Sequence, residues 1–130
     1  MDADHPTVVL VADDAPEIRS MLSIRLGALG FQVLEAVDGH QTMDMVRQHY
    51  PDLVILDVMM PGKNGWEVAK EIRHDARFKS MGIIMLTAIG VKINEMTSPL
   101  YGADEYLDKP FEFSELEQRI NKVLGKAGED

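Results

Sequence analysis

The stretch "DLVILDVMMPGKNG", residues 52–65, decides how the rest of the chain is read. Four apolar residues (53–56) run without polar interruption into Asp57. Unbroken apolar character over so short a run, bounded by turn residues, predicts a strand buried on both faces. That strand ends by delivering a carboxylate to a loop carrying Pro61 and Gly62. A carboxylate in that place is a turn former, a metal ligand or a nucleophile. The surrounding sequence has to choose among them.

Working outward, residues 7–12 ("TVVLVA") and 82–88 ("GIIMLTA") repeat the buried-strand pattern. Residues 31–36 ("FQVLEA") alternate, as a half-covered strand near an edge would, and 103–108 ("ADEYLD") form the weakest strand, supported by Tyr106 and Leu107. Between the strands lie amphipathic runs. Pro16 suits the first turn of a helix reaching about Gly30, with Leu22, Leu26 and Leu29 on one stripe. Asp38 caps a second helix with Met43, Val46 and Tyr50 inward and Pro51 as its stop. Asn64 and Glu67 open a third, carrying Val68 and Ile72. Residues 90–101 hold the place of a fourth helix, which Pro99 shortens or bends. Ser114 with Glu117 has capping-box spacing for the last helix, with Leu116, Ile120 and Val123 or Leu124 as its core stripe and Gly125 and Gly128 at its end.

Strand followed by helix, five times over, predicts one α/β domain: a doubly wound (βα)5 parallel sheet with helices on both faces. Right-handed crossovers then align the carboxyl ends of the strands along one edge, where open sheets of this kind bind ligands. The expected domain is 1–130, with its core at about 8–124 and a tail at 125–130.

Composition agrees and narrows the function. The 130 residues are 45% apolar with six prolines, enough for one hydrophobic core and unlike a disordered chain. No apolar run reaches the length of a membrane span, the start is unlike a secretory signal, and a cytoplasmic location is expected. The chain has no cysteine, which excludes disulfides and thiolate metal sites. A formal charge of −9 opposes non-specific binding to nucleic acid and favours a metal cation and basic partner surfaces. The four histidines show no metal-ligand spacing, the nine methionines read as core filler, and "GKNG" is not a P-loop.

Strand one delivers Asp13 and Asp14 to the carboxyl edge, strand three Asp57, strand four Thr87, and strand five Lys109 followed by Pro110. Taken singly, each has an ordinary reading: an aspartate at a strand end is most often a cap, and paired acids before a helix favour its positive end. Their joint placement is what carries weight. Three carboxylates packed together repel one another unless a cation sits among them, and Lys109 supplies only one charge. Oxygen-only ligands of this type suit a hard divalent ion, Mg²⁺ above all, with Mn²⁺ as a substitute. Chelation alone leaves Thr87 and Lys109 idle. Attack of Asp57 on a phosphoryl group employs every part: the cations neutralise charge on the transferring group, and the Thr87 hydroxyl donates to one of its oxygens.

These residues resemble the receiver domain of bacterial two-component response regulators. The resemblance rests on "VVLVADD", "LVILDVMMPGKNG", "IIMLTA" and "GADEYLDKPF", and covers Val8 to about Leu124. It implies a five-stranded flavodoxin-like sheet of order 2-1-3-4-5, the arrangement the general rule for such folds already describes. It implies a phosphohistidine donor on a sensor histidine kinase or a phosphotransfer protein, with small acyl phosphates as substitutes. It further implies that Asp14 and Asp57 bind Mg²⁺ by side chain, Asp13 through water and Met59 through its backbone carbonyl. Thr87 and Tyr106 would form a switch that reshapes the face made by the fourth helix, fifth strand and fifth helix. Lys109–Pro110 would be a cis peptide, Ala88 would leave the site open, Ile18 and Met21 would face a kinase, and Met59 and Ile89 would tune phosphoryl lifetime. The chain would then be a phosphoacceptor module and not a turnover enzyme, acting as a monomer or a phosphorylation-dependent homodimer on an unidentified protein partner. "ELEQRI" with Arg119 is similar to receivers of DNA-binding regulators, yet no DNA-binding region is present, so the chain acts alone or was cut from a longer protein.

Three other readings fit less well. An aspartyl-phosphate phosphohydrolase would place its nucleophile after the first strand and an acid two residues later, where Met59 cannot serve. A flavin module would want a hydroxyl- and glycine-rich loop after strand one, and "DDAPE" would repel a phosphate. A degenerate receiver would lack part of the site, and no part is missing.

Overall fold

The computed structural model describes residues 6–88 and 102–128, the last three by backbone alone. Five strands, β1 (Val8–Ala12), β2 (Gln32–Ala36), β3 (Leu53–Asp57), β4 (Gly82–Thr87) and β5 (Glu105–Asp108), form one parallel sheet in the order β2-β1-β3-β4-β5. Helices α1 (Pro16–Ala28), α2 (Gly39–His49) and α3 (Gly65–His74) and the C-terminal helix (Phe113–Gly128) cover it. The expected sheet and its order are therefore observed. The expectations for Pro99 and for a fourth helix over 90–101 fall outside the described residues.

The pleat explains why the central strands are apolar throughout. Leu10, Val54, Leu56, Ile83 and Met85 face Met43, Val46, Val68 and Ile72 of α2 and α3. Their neighbours Val9, Val11, Leu53, Ile55, Ile84 and Leu86 face Leu22 and Leu26 of α1 and Leu116, Ile120 and Val123 of the C-terminal helix. Each such side chain contributes about 1.5–3 kcal/mol by leaving water, so no strand position between the two layers favours a polar residue. Strand β2 lies at one edge with only Ala36 fully buried, as its alternation predicts.

Several local expectations need correction. Tyr50 does not point inward. It ends α2 in the left-handed region at φ 47° and is half exposed, its ring tilted against Phe78 at 5.2 Å. Pro51 still bars the helix from continuing, and the chain reverses at Tyr50 to enter β3. Leu29 is the C-cap residue just beyond α1 and is exposed, where the chain turns away at Gly30 (φ 98°). The last helix is capped two residues earlier than Ser114 and Glu117 suggest: the Glu115 carboxylate accepts from the Glu112 N–H at 2.9 Å. Gly125 lies inside that helix, not at its end. The Asn64–Glu67 capping box forms as read, with both reciprocal bonds present.

Candidate phosphoryl-acceptor site

Parallel pairing puts the carboxyl ends of β1, β3, β4 and β5 side by side. Asp57 is the last residue of β3 and pairs with Leu86, Thr87 is the last of β4 and pairs with Asp108, and Lys109 follows directly. The Lys109 N–H donates to the Thr87 carbonyl at 2.7 Å, and the Val58 N–H to that of Leu86 at 2.9 Å, so the ladders reach the site itself.

Asp13 is fully buried, Asp57 nearly so, and Asp14 exposed. One carboxylate oxygen from each of the three lies within 4.8 Å of the others. The Lys109 ammonium is 3.1 Å from Asp13 Oδ2 and 3.4 Å from Asp57 Oδ1. Asp13 Oδ1 accepts from the Ala15 N–H at 2.9 Å, and Asp57 Oδ1 from the Met59 N–H at 3.3 Å. Burial, and after it the neighbouring Asp13 charge, push the Asp57 carboxyl up to about 6; Lys109 and the Met59 N–H oppose the rise.

One ammonium does not balance three carboxylates at this spacing. Two buried acids and one exposed acid, open to solvent on the Asp14 side, form a hard oxygen donor set compatible with a magnesium ion that keeps part of its water shell. Lys109 stands between the two buried acids, and Asp14 supplies the accessible oxygen.

Thr87 is buried at the end of β4, and Tyr106 on β5 is partly buried against the core cluster beneath α2 and α3. The Lys109–Pro110 peptide is cis. Met59 is 67% exposed, so its side chain is not part of the core. Ala88 is exposed. On α1, Ile18 is partly buried against the second core cluster, whereas Met21 is 36% exposed. The two thus sit in different surroundings. Ile89 lies outside the described residues.

Two features were missed from sequence. Arg19 on α1 donates to the Asp13 carbonyl at 2.9 Å and pairs with Glu35 of β2 at 3.3 Å, bracing the acidic loop from the rear. Two glycines fix the loop after Asp57. A Cβ on Gly39 would strike the Lys63 carbonyl oxygen, and one on Gly65 would lie 2.5 Å from the Asp57 carbonyl oxygen. The first depends on a contact across the sheet edge with no local signal. The glycines are visible in sequence, but the backbone that needs them is not.

The family model for the response regulator receiver domain matches residues 9–121. A protein of Guillardia theta named "Probable transcriptional regulator ycf27" is 43% identical over 124 residues, which are 95% of this chain and 48% of that protein. The phosphate regulon transcriptional regulatory protein PhoB of Pseudomonas aeruginosa is 38% identical over 122 residues, 94% of this chain and 53% of that one. The chain thus spans about half the length of the curated relatives it matches. The response regulator TrrA of Thermotoga maritima, solved with Mg²⁺ and BeF, superposes with a TM-score of 0.80 at 38% identity, over 90% of this chain and 98% of TrrA. Sheet order, the acids gathered at its carboxyl edge and the extent of the sequence match agree, and the chain belongs to the response regulator receiver domain family.

Proposed function

We propose that Asp57 is the phosphoryl acceptor of this receiver, in a reaction that requires Mg²⁺ (or Mn²⁺) held by the side chains of Asp14 and Asp57, by Asp13 through water and by the Met59 carbonyl. The observation that carries the reading is the lysine-bridged cluster: Lys109 within 3.4 Å of two buried carboxylates, with a third oxygen donor 4.8 Å away or less. A bound divalent cation supplies the charge neutralisation that three acids and one lysine lack. An Asp57 oxygen attacks phosphorus, forming the acyl phosphate as the bond from phosphorus to the donor's imidazole nitrogen, or to acetate oxygen, breaks. Lys109 offsets charge on the transferring oxygens, and the Thr87 hydroxyl donates to one of them. Burial, which raises the Asp57 carboxyl to about 6, still leaves it ionised at neutral pH, as a nucleophile must be.

Phosphorylation biases Thr87 and Tyr106 between two packing arrangements and so alters the face that includes β5 and the C-terminal helix. The donor is a histidine kinase or phosphotransfer protein, met in part through Ile18 and Met21 of α1. Met59 and Ile89 set how long the phosphoryl group persists. The chain is a cytoplasmic signalling module built around a core at about 8–124, a monomer or a homodimer formed on phosphorylation, and it acts through a protein partner and not by binding nucleic acid itself. Its catalysis is confined to its own phosphorylation and dephosphorylation. No described helix is long and apolar enough to cross a membrane.

The test is intact mass after incubation with acetyl phosphate, with and without Mg²⁺, beside Asp57→Asn. One added phosphoryl group, dependent on Mg²⁺ and absent in the variant, is expected. No addition to the native protein under any condition refutes the reading.

A further inference from the structure

Strand β5 delivers Lys109 and Tyr106, yet it is the least supported strand of the sheet. It has four residues, lies at an edge and pairs with β4 alone. A slip of one residue would move Lys109 by about 3.3 Å and reverse the faces of its neighbours. Something must fix its entry.

Among the described residues, Arg73 and Asp104 hold that entry. Arg73, in the last turn of α3, donates from Nε to the Gly102 carbonyl at 2.6 Å and from Nη1 to the Met81 carbonyl at 2.5 Å. Nη1 also reaches the Lys79 carbonyl at 3.3 Å, and Nη2 meets Asp104 Oδ2 at 2.8 Å. The same Asp104 oxygen accepts from the Ile83 N–H at 2.8 Å, and the Asp104 N–H donates to the Ile83 carbonyl at 2.9 Å. Gly102 is in the left-handed region at φ 82°, and a Cβ there would run into Arg73 Cγ. The planar guanidinium fork thereby joins the start of β4 to the residues immediately before β5, a task that a single ammonium cannot perform. At its other end α3 is fixed against the acceptor loop, where the Gly65 N–H donates to the Val58 carbonyl at 3.0 Å.

The geometry points to Arg73 as a positioning residue for phosphoryl transfer: it sets the entry and register of β5, and through them the reach of Lys109 to Asp13 and Asp57. This inference rests on the proposed role of the Asp57 site. Arg73 touches none of the acids, which stand on β1 and β3 or just beyond them. Its loss therefore separates two properties. Metal affinity belongs to the acids and stays, whereas transfer depends on a well-placed Lys109 and slows.

Native protein, Arg73→Gln and Arg73→Lys are compared in three measurements: Mg²⁺ affinity by calorimetry, phosphorylation rate with acetyl phosphate at saturating Mg²⁺, and amide exchange. For Arg73→Gln the expectation is Mg²⁺ affinity within about twofold of native and a rate lowered by about fivefold or more. Exchange in 83–88 and 104–109 should speed by about tenfold or more, with 8–12 unchanged. Arg73→Lys, keeping one bond to Asp104, should fall between; it carries the comparison alone if the glutamine variant does not fold. Unchanged rate and unchanged β5 exchange overturn the inference. So does a parallel loss of Mg²⁺ affinity with faster exchange throughout, the mark of general destabilisation. If the native protein accepts no phosphoryl group, the reading of Asp57 fails, and amide exchange alone decides whether Arg73 holds β5.

Discussion

Replacing Asp57 by Asn should stabilise the metal-free protein at neutral pH. The asparagine keeps the shape and the acceptor facing the Met59 N–H, but removes a buried negative charge beside Asp13. Burial and the neighbouring Asp13 charge raise the Asp57 pKa from 3.8 to about 6, which sets the order of magnitude of what that charge costs the folded state. At about 1.4 kcal/mol per pH unit, the cost approaches roughly 3 kcal/mol once Asp57 is ionised in both folded and unfolded chains. The sign follows from proton counting. Between pH 3.8 and about 6 the folded protein binds the extra proton, so its stability falls as pH rises through that window and levels off above it. The gap between Asp57→Asn and native should therefore be roughly 3 kcal/mol at pH 7.5 and shrink to roughly 1 kcal/mol at pH 4.5. Urea unfolding in EDTA at the two pH values measures it directly. Saturating Mg²⁺ should close the gap from the other side, since the cation stabilises only the ionised site. A variant no more stable than native at pH 7.5, or an equal gap at both pH values, would refute the reasoning. The first result would mean that Lys109 already compensates the charge; the second would trace the difference to something other than ionisation.

Three further outcomes are expected. Mg²⁺ at about a hundred times its dissociation constant should stabilise the native protein by about 2.7 kcal/mol in a thermal or urea scan, and Asp14→Asn should lose most of that gain. Gly65→Ala should cost about 2 kcal/mol or more in urea unfolding, because the new methyl meets the Asp57 carbonyl oxygen at 2.5 Å and backbone cannot yield as a side-chain tip can. Ile84→Ala, in a strand buried on both faces, should cost about 2–5 kcal/mol, a loss visible in unfolding whether or not Mg²⁺ is present.

The parallel, doubly covered sheet was legible in the amino-acid pattern. Apolar runs at 53–56, 82–86 and 8–12 cannot be half-exposed, so they had to lie between two helical layers, and parallel crossovers then put Asp13, Asp14, Asp57, Thr87 and Lys109 on one edge. Asp38 and Asn64 marked helix starts correctly because a cap is satisfied within a few residues of itself, and Pro16 because its fixed φ suits the first helical turn. Where a cap could form at either of two nearby glutamates, spacing alone misplaced it, and Glu115 with Glu112 replaced Ser114 with Glu117. Packing of the layers places the Lys109 ammonium between Asp13 and Asp57: 96 residues separate Lys109 from Asp13, and no local pattern measures that distance. The Arg19 brace and the Arg73 fork were equally illegible. Each joins a side chain to backbone carbonyls, and a carbonyl is present at every residue. Which of them an arginine finds depends on how the layers pack.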